Sequence, residues 1–450
     1  MDIQLPDEVH FIIDSLGAAG FDAYAVGGCV RDSVLRLRPK DWDICTLALP
    51  EQVMRCFDGR HIIETGLLHG TVTLILGHKP YEITSYRADG AYSDNRRPDK
   101  VEFIGSLKAD LARRDFTINA MAYSPAEGFV DLCGGMADLN AKLIRCVGPA
   151  DMRFGEDALR IMRALRFASE LGFHIEESTS ASLLKNKGLL QNIAAERIRS
   201  ELDLTITGKG VYDVLNDYFP VISEIIPELI PTAGDVQNNP RSGFDVLQHT
   251  LKSVALAPKE VVLRLSMLLH DIAMPACCNE TGSKGHFHSH AERGAQMARG
   301  ILKRLKYDGA TVKSVAELVL YHDAELTPEA KQVRRWLNRL GEAGLWRLVE
   351  VKRADISAQA DEYKMEGLAS LDKTAALIDE IIERRQCFSL AELAVDGGDL
   401  IAAGIPEGRE IGIALNRLLD MVLDEQVDND RLELLNAVRE WSGGGLRNIL

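Results

Sequence analysis

The sequence predicts an α+β protein in which a small mixed-sheet domain is followed by mainly helical domains. Short strand-like runs and one short helix alternate in the first third of the chain. The remainder carries the apolar spacing of helices, with no strong strand signal beyond about residue 150. A chain of 450 residues is too long for a single hydrophobic core and suggests two to four domains.

The predicted strands are apolar or alternating segments separated by residues that favour turns. A helix from Val30 to about Leu37 is predicted between the first two strands, and Gly77-His78-Lys79-Pro80 predicts the turn of a hairpin. The strands themselves are predicted at Phe21–Val26, Asp43–Leu49, Thr71–Leu76, Tyr81–Arg87 and Val101–Ile104.

Helical apolar spacing then marks four long segments, and a Gly-, Pro- and Asn-containing stretch from Pro231 to Gly243 marks a domain boundary. The predicted helices are Asp157–Leu171, Ser178–Leu190, Ala195–Thr207 and Val261–Ala273. We expect four domains: a head at 1–147, a helical neck at 148–230, a helical body at 231–345 and a helical tail at 346–450.

Composition and charge bear on the cellular location of the protein and on its possible binding partners. No run of 18 apolar residues suggests a membrane span, and the acidic N-terminal segment lacks the pattern of a signal peptide. The eight cysteines form no CxxC pair, so we expect reduced thiols and a cytoplasmic location. The net charge of −15 alone argues against a nucleic-acid partner, but it does not exclude local basic patches such as Arg153–Arg166.

A strand that ends at Gly27-Gly28 and leads into a helix is the first candidate site. Glycines allow close approach of the backbone to a phosphate, and a helix N-terminus presents free N–H groups. Arg31 lies one turn into the predicted helix, where it could hold a phosphate oxygen.

Asp41 and Asp43 are spaced i and i+2, which puts both carboxylates on one face of a strand. Two such carboxylates suit Mg²⁺ bound together with substrate phosphates, and two metal ions would stabilise an in-line displacement. Glu82 could supply a third carboxylate. Each motif alone is weak, but the order of the two resembles the nucleotidyltransferase head of the polymerase-β superfamily.

Three longer motifs narrow the resemblance: DLARRDFTINAMA at 110–122, RFGEDALRIMRALRF at 153–167 and ERIRSE at 196–201. They resemble the ordered motifs of the class II tRNA nucleotidyltransferase and bacterial poly(A) polymerase family, in its HD-domain-containing branch. The resemblance is strong over residues 20–205 and weaker toward the C-terminus. It implies transfer of nucleotides from CTP and ATP to the 3′-hydroxyl of tRNA, with release of pyrophosphate.

The resemblance also implies roles for single residues. Asp157 and Arg160 would read the Watson–Crick edge of the incoming CTP or ATP, because a carboxylate accepts from an exocyclic amine and a guanidinium donates. Arg163 and Arg166 would lie near the nucleotide, and Arg114 would contact its triphosphate or ribose. The spacing of three residues places Arg160, Arg163 and Arg166 on one helix face, which a simpler interpretation would call a solvated face.

The segment from Arg87 to Asp99 resembles the flexible loop of family members that add the terminal A. It favours addition of the whole CCA sequence, with A-only addition and poly(A) synthesis as alternatives. As a polar segment rich in turn residues, it is also simply a surface loop.

Histidines concentrate in the middle of the chain, where His249, His270-Asp271 and His322-Asp323 have the order seen in HD-type phosphohydrolases. Imidazole with carboxylate suits a transition metal, and His249, His270, Asp271 and Asp323 are the candidate ligands. Ala273 and Met274 stand where that family carries Gly and Lys. Two interpretations therefore stay open: an inert fold that helps bind tRNA, or a metal site. A second class of function, a phosphohydrolase with a nucleotide-sensing head, is opposed by the intact head carboxylates.

Overall fold

The computed structural model describes residues 2–89, 101–234, 245–281 and 288–443. The chain divides into two compact units, Met1–Ile230 with Arg304–Tyr307, and Pro231–Lys303 with Asp308–Leu450. The finer division into four domains stays a prediction. Within the described residues, no helix has the length and the apolar character needed to cross a membrane.

The first unit contains the strands and the shorter helices. Its strands are β1 Ala23–Val26, β2 Asp43–Thr46, β3 His61–Ile63, β4 Thr71–Leu76, β5 Lys79–Ser85, β6 Arg87–Asp89, β7 Val101–Phe103, β8 Met121–Ser124, β9 Gly128–Asp131, β10 Leu143–Ile144 and β11 His174–Ile175. Its helices are α1 Asp7–Ala18, α2 Gly28–Val34, α3 Pro50–Cys56, α4 Leu107–Ala112, α5 Gly135–Ala141, α6 Ala150–Glu156, α7 Leu159–Leu171, α8 Glu177–Asn186, α9 Ala195–Thr207, α10 Val211–Asp217 and α11 Phe219–Ile225.

A seven-stranded mixed sheet forms the centre of this unit, with the strand order β3-β4-β5-β2-β1-β8-β9. Strands β2 and β5 are parallel, and the other neighbours are antiparallel. Apolar residues fill β1 completely, because it lies in the middle of the sheet and is buried along its whole length. Helix α1 packs its buried residues Val9, Ile12 and Leu16 on the sheet side.

Helix α7 follows the sheet and carries polar and apolar residues on different faces. Its apolar residues, including Ile161 and Leu165, are fully buried. The ring of Phe167 meets that of Phe116 edge-on, with centroids 5.8 Å apart. This packing fixes the helix beside the loop that precedes β8.

The second unit is helical throughout its described part. Its helices are α12 Val246–Leu256, α13 Val261–Leu269, α14 Met274–Thr281, α15 His288–Arg304, α16 Gly309–Tyr321, α17 Ala330–Ala358, α18 Asp361–Glu383, α19 Gly397–Ala402, α20 Arg409–Leu423 and α21 Arg431–Gly443. Helix α17 is kinked at Gly341, where φ is 68°. At the C-terminal end, buried Leu400, Leu418 and Leu434 join three helices in one apolar cluster.

The predicted α+β class is confirmed, and several element limits differ from the sequence-based expectation. Strands β8 and β9 were not predicted, because their short segments lack long runs of β-branched residues. Helix α7 begins at Leu159 rather than at Asp157, since α6 ends at Glu156 and Asp157 adopts an extended conformation between the two helices. The expected helix from Val261 to Ala273 ends at Leu269.

Candidate active site

Gly27 is required where β1 turns into α2. Its backbone has φ 82° and ψ −129°, a conformation that L-residues with side chains rarely adopt. A Cβ at this position would lie 3.1 Å from Nη1 of Arg114. The glycine therefore permits both the turn and the close approach of the guanidinium, while Gly28 begins α2 beside the Arg31 side chain.

The three predicted carboxylates lie at one edge of the parallel strand pair. Asp43 begins β2 and is the direct register partner of Glu82 on β5, and Asp41 lies two residues before Asp43. All three residues are exposed. Although Asp43 is open to solvent on one side, desolvation by the surrounding protein and the charges of Asp41 and Glu82 raise its pKa to about 6. A bound cation would relieve this repulsion.

Arg31 is buried and held on three sides. It pairs with Asp32 at 2.8 Å, and its Nη1 donates to Oδ1 of Asn119 at 2.6 Å. Its guanidinium carbon also lies 5.0 Å from the centre of the Phe167 ring. These contacts fix a positive charge next to the glycine turn.

Arg114 contributes a second fixed charge beside Gly27. Its Nη2 pairs with Oδ2 of Asp110 at 3.2 Å. Burial opposes ionisation, but the charges of Asp110 and Asp43 and the hydrogen bond to Asp110 act against it, and the pKa of Arg114 is raised. The Nε atom of Arg114 is buried and has no hydrogen-bond partner among the described residues. A buried donor without a partner is costly, so an oxygen-rich ligand suits this position.

Helix α7 directs Arg163 and Arg166 toward acidic partners. Arg163 donates to Oδ2 of Asp115 through Nε at 2.8 Å and through Nη2 at 2.6 Å. Arg166 lies 3.3 Å from Glu201 on α9 and stacks over the Phe167 ring at 4.2 Å. Burial acts to raise the pKa of Asp115, but the charge and hydrogen bonds of Arg163 outweigh it, and the pKa falls to about 2.

Asp157 lies between α6 and α7 and Arg160 lies in the first turn of α7, and each side chain has a protein partner. Oδ2 of Asp157 accepts from Nη2 of Arg197 at 3.0 Å. Arg160 is buried and donates to Glu156 at 2.6 Å and to the carbonyl oxygen of Arg113 at 3.1 Å. The arginines of α7 are thus paired and partly buried, so the simpler interpretation of a solvated face is wrong for Arg160.

Sequence reasoning assigned no role to Asp115, Asn119 or Glu156, which organise these arginines. Asn119 links two parts of the site, because it accepts from Arg31 and donates to Asp115 at 3.2 Å. Asp115 and Asn119 stand in the motif quoted above as DLARRDFTINAMA, so their signal was present. Their partners lie 88 and 48 positions away in sequence, which spacing alone does not reveal.

Two further predicted features lie elsewhere. The loop expected to favour addition of A extends from Arg87 to Asp99, and residues 90–100 lie outside the described part of the chain. In the second unit, His249, His270 and Asp271 are buried close together, whereas Asp323 is exposed and belongs to neither of the clusters there. The other members of these clusters are His290 and His322, which are buried, and Asp355, which is partly buried.

Three segments of the chain match models of known protein families. Residues 23–145 match the poly A polymerase head domain, which contains the glycine turn and the carboxylates. Residues 172–217 match a segment described as an RNA and SrmB-binding site of polymerase A, and residues 288–438 match the tRNA nucleotidyltransferase domain 2. The protein is therefore a nucleotidyltransferase of the poly(A) polymerase and tRNA nucleotidyltransferase type.

Whole-length relatives specify the family. The CCA-adding enzyme of Lactobacillus delbrueckii subsp. bulgaricus is 34% identical over 421 residues, which cover 93% of this chain and 94% of the relative. The CCA-adding enzyme of Bacillus velezensis is 32% identical over 96% of this chain and 97% of its own length. This chain belongs to the family of CCA-adding enzymes.

Solved structures agree with this assignment. The crystal structure of the Bacillus stearothermophilus CCA-adding enzyme in complex with CTP is 28% identical, covers 99% of this chain and 100% of its own, and has a TM-score of 0.72. The Thermotoga maritima CCA-adding enzyme complexed with tRNA is 20% identical, covers 97% of this chain and 99% of its own, and has a TM-score of 0.58. The latter likeness concerns the fold alone.

Proposed function

We propose that this protein adds C, C and A to the 3′ end of tRNA, using CTP and ATP and no nucleic-acid template. The observation that carries the proposal is the register of Asp43 with Glu82 in the same compact unit as the fixed arginines of α2 and α7. Whole-length similarity to CCA-adding enzymes supports it. The RNA 3′-hydroxyl attacks the α-phosphate of the nucleotide, and pyrophosphate leaves.

Asp41 and Asp43 would hold Mg²⁺, with Glu82 nearby. Their exposed carboxylates are hard oxygen donors of the kind that Mg²⁺ prefers. Desolvation, followed by the charges of Asp41 and Glu82, raises the pKa of Asp43, and a cation would balance those charges. When bound, Mg²⁺ polarises phosphoryl oxygens and activates the attacking hydroxyl. A two-metal arrangement is part of the proposal.

The arginines around the glycine turn would bind the triphosphate. Arg114 offers beside Gly27 a buried Nε–H that has no hydrogen-bond partner among the described residues, and Arg31 is fixed by Asp32 and Asn119. Preorganised guanidinium groups stabilise the charge of the departing pyrophosphate without reorganising during the reaction. Arg163 and Arg166 would complete the positive surface near the nucleotide.

Asp157 and Arg160 would select the base. The carboxylate would accept from the exocyclic amine of C or A, and the guanidinium would donate to the ring, whereas U and G lack that amine. Their pairs with Arg197 and Glu156 hold both side chains in place before the nucleotide enters. Binding would exchange these partners for the base edge.

The selection step can be tested with Arg160→Ala. Incorporation of CTP and ATP should fall, and discrimination against UTP and GTP should shrink by about tenfold or more, because a lost hydrogen bond to a base costs about 1–3 kcal/mol. Arg55→Ala removes an exposed arginine of α3 in the same unit and serves as the matched control. Unchanged discrimination in the Arg160 variant would refute the role.

A-only addition and poly(A) synthesis are distinguished by the end of the RNA supplied. Full CCA addition extends both a tRNA that lacks CCA and a tRNA that ends in CC. Growth from the CC end alone would mean A-only addition, and long A-tails would mean poly(A) synthesis. The body and the tail would contact the tRNA outside the reacting end, which the match of residues 288–438 supports.

A further inference from the structure

The segment between α2 and β2 carries three exposed cations immediately before the carboxylates of the candidate site. They are Arg36, Arg38 and Lys40, and Asp41 follows directly in sequence. We call these three residues the basic turn. Given the proposed addition of nucleotides to tRNA, on which this inference rests, we propose that the basic turn binds backbone phosphates of the RNA strand whose 3′-hydroxyl reacts. It thereby positions that strand at Asp41.

The side chains of the basic turn lack the acidic partners that hold the other cations near the site. The arginines at the glycine turn and on α7 each pair with a carboxylate of the protein. In the part of the chain that the structure describes, no ion pair or side-chain hydrogen bond involves Arg36, Arg38 or Lys40. All three are exposed, so their charges are available to an anionic partner although the chain as a whole is acidic.

The backbone at Arg36 has a conformation that favours glycine. Its φ is 58°, in the left-handed region. The N–H of Arg36 donates to the carbonyl oxygen of Ser33 at 3.1 Å, and the N–H of Leu37 donates to that of Asp32 at 2.8 Å. These two bonds form the Schellman motif that ends α2, in which the left-handed residue is usually glycine. An arginine lowers stability there relative to glycine, which indicates a function for its side chain.

Structural roles account for only part of the basic turn. A cation that follows the C-terminus of a helix interacts favourably with the helix dipole, which explains Arg36 but neither Arg38 nor Lys40. In many Schellman motifs an apolar residue packs back on the helix and supports the turn. Leu37 holds that position here, but it is 52% exposed, so packing does not offset the conformation of Arg36.

The basic turn is separated from the groups proposed to bind the triphosphate. Those groups surround Gly27 at the first residues of α2, whereas the basic turn follows the last residue of this helix. A helix of seven residues is about 10 Å long. The cation whose charge acts on the pKa of Asp43 is Arg114, rather than a member of the basic turn. The basic turn is therefore available to a second anion.

The basic turn also lies beside the position where the RNA 3′-hydroxyl reacts. Lys40 adjoins Asp41 and Arg38 is three residues before it, so their Cα atoms lie within about 11 Å of that of Asp41. Pro39 fixes its own φ and favours an extended backbone at Arg38. Lysine and arginine bind backbone phosphates whatever the base. The same three side chains therefore suit each of three successive additions, in which the terminal base of the RNA changes.

The first test compares glycine substitutions at two helix ends of the first unit in the full chain. Arg36→Gly removes the charge and supplies the residue that the backbone favours, so the thermal unfolding midpoint should not fall. Filter binding of a tRNA that ends in CC should weaken roughly fivefold in 50 mM salt, as expected for one lost phosphate contact.

The matched control is Lys142→Gly, because Lys142 is likewise an exposed cation at a helix end, with a φ of 55°. Its substitution should leave the affinity for tRNA unchanged. Unchanged binding by the Arg36 variant, or equal weakening by both variants, would overturn the proposal.

The combined variant Arg36→Gly, Arg38→Gln and Lys40→Gln measures the number of phosphate contacts. The Kd for the same tRNA should rise at least about 30-fold in 50 mM salt. The slope of log Kd against log salt concentration should fall by about 2, because each contact with a single strand contributes about 0.7. An unchanged slope would contradict contacts to phosphates, even if the affinity changed.

Steady-state kinetics distinguish the RNA strand from the triphosphate. In the combined variant, the KM for tRNA should rise at least about tenfold, while the KM for CTP changes by less than about twofold. A higher KM for CTP with an unchanged KM for tRNA would assign the basic turn to the nucleotide and overturn the proposal. Absence of CCA addition by the unaltered protein would contradict the proposed function, whereas filter binding still tests the basic turn because it requires no turnover.

Discussion

At the scale of single residues, the proposed chemistry depends on the closely placed carboxylates of Asp41, Asp43 and Glu82. Asp43 and Glu82 are register partners on parallel strands, and the pKa of Asp43 rises to about 6. Neighbouring negative charges lower the stability of the folded protein, and they favour the binding of a cation.

Asp41→Ala should therefore abolish nucleotide incorporation, with a loss of at least about 1,000-fold, while thermal unfolding changes little because the residue is exposed. Glu51→Ala removes another exposed acidic residue of the first unit and should retain activity. Incorporation at the normal rate by the Asp41 variant would exclude the carboxylates as the metal site.

Asp115 carries a stability prediction. Its pKa is lowered from 3.8 to about 2, so the carboxylate contributes stability above pH 3.8 that is lost as the pH falls through about 2. Asp115→Asn removes the two-bond partner of Arg163, leaving Glu201 at 3.9 Å, and should cost about 2–4 kcal/mol at neutral pH. Denaturant unfolding at pH 7 and pH 2 measures both effects. An equal difference between variant and parent at pH 2 and pH 7 would contradict the linkage.

Sequence motifs pointed to candidate site residues, but they did not show which of these residues contact one another. The glycines, the carboxylates and the arginines of the candidate site were all proposed from motifs. The register of Asp43 with Glu82 was not predicted, because it depends on a parallel alignment between β2 and β5, which are separated in the chain by α3, β3 and β4. The partners of Asp157 and Arg160 were missed for the same reason, since Arg197 lies 40 positions beyond Asp157.

At the scale of elements, helix α7 gathers three guanidinium groups around one aromatic ring. Arg31, Arg163 and Arg166 lie 5.0, 5.3 and 4.2 Å from the centre of Phe167. Like charges repel, so the electron-rich ring and the acidic partners together allow this concentration of positive charge.

Phe167→Leu keeps an apolar side chain but removes the ring face. Each cation–π contact contributes about 0.5–2 kcal/mol, so the KM for CTP and ATP should rise roughly 3- to 30-fold, with a smaller change in kcat. Steady-state kinetics on a tRNA ending in CC provide the measurement for ATP. Phe57→Leu alters a buried ring elsewhere in the first unit and controls for lost packing. An unchanged KM would show that the ring acts only in packing.

The sequence predicted whether a segment is a helix or a strand more reliably than it predicted where that helix or strand begins and ends. Periodicity identified Ala195–Thr207 as observed, but it merged Asp157 into α7. The backbone leaves the helical conformation at Asp157, where a carboxylate oxygen accepts from the N–H of Leu159 and begins the next helix. Such side-chain competition with the helix is not visible in apolar spacing.

At the scale of the whole molecule, an acidic chain must bind an acidic polymer. The net charge is −15, yet buried or partly buried arginines concentrate around the glycine turn and α7. Binding of tRNA through local patches releases counterions regardless of the net charge.

Raising the salt concentration from 50 to 200 mM should therefore weaken tRNA binding by about tenfold or more, as expected for contacts to three or more phosphates. Filter binding at several salt concentrations gives the slope. A salt-independent affinity would contradict binding through the phosphate backbone.

The central claim is addition of a defined CCA sequence without a template. A tRNA that lacks all three nucleotides is incubated with Mg²⁺ and equal concentrations of CTP, ATP, UTP and GTP, and the 3′ ends are sequenced. We predict that the products end in CCA and grow no further, even though UTP and GTP are available. Ends that contain U or G, or tails of variable length, would contradict the account.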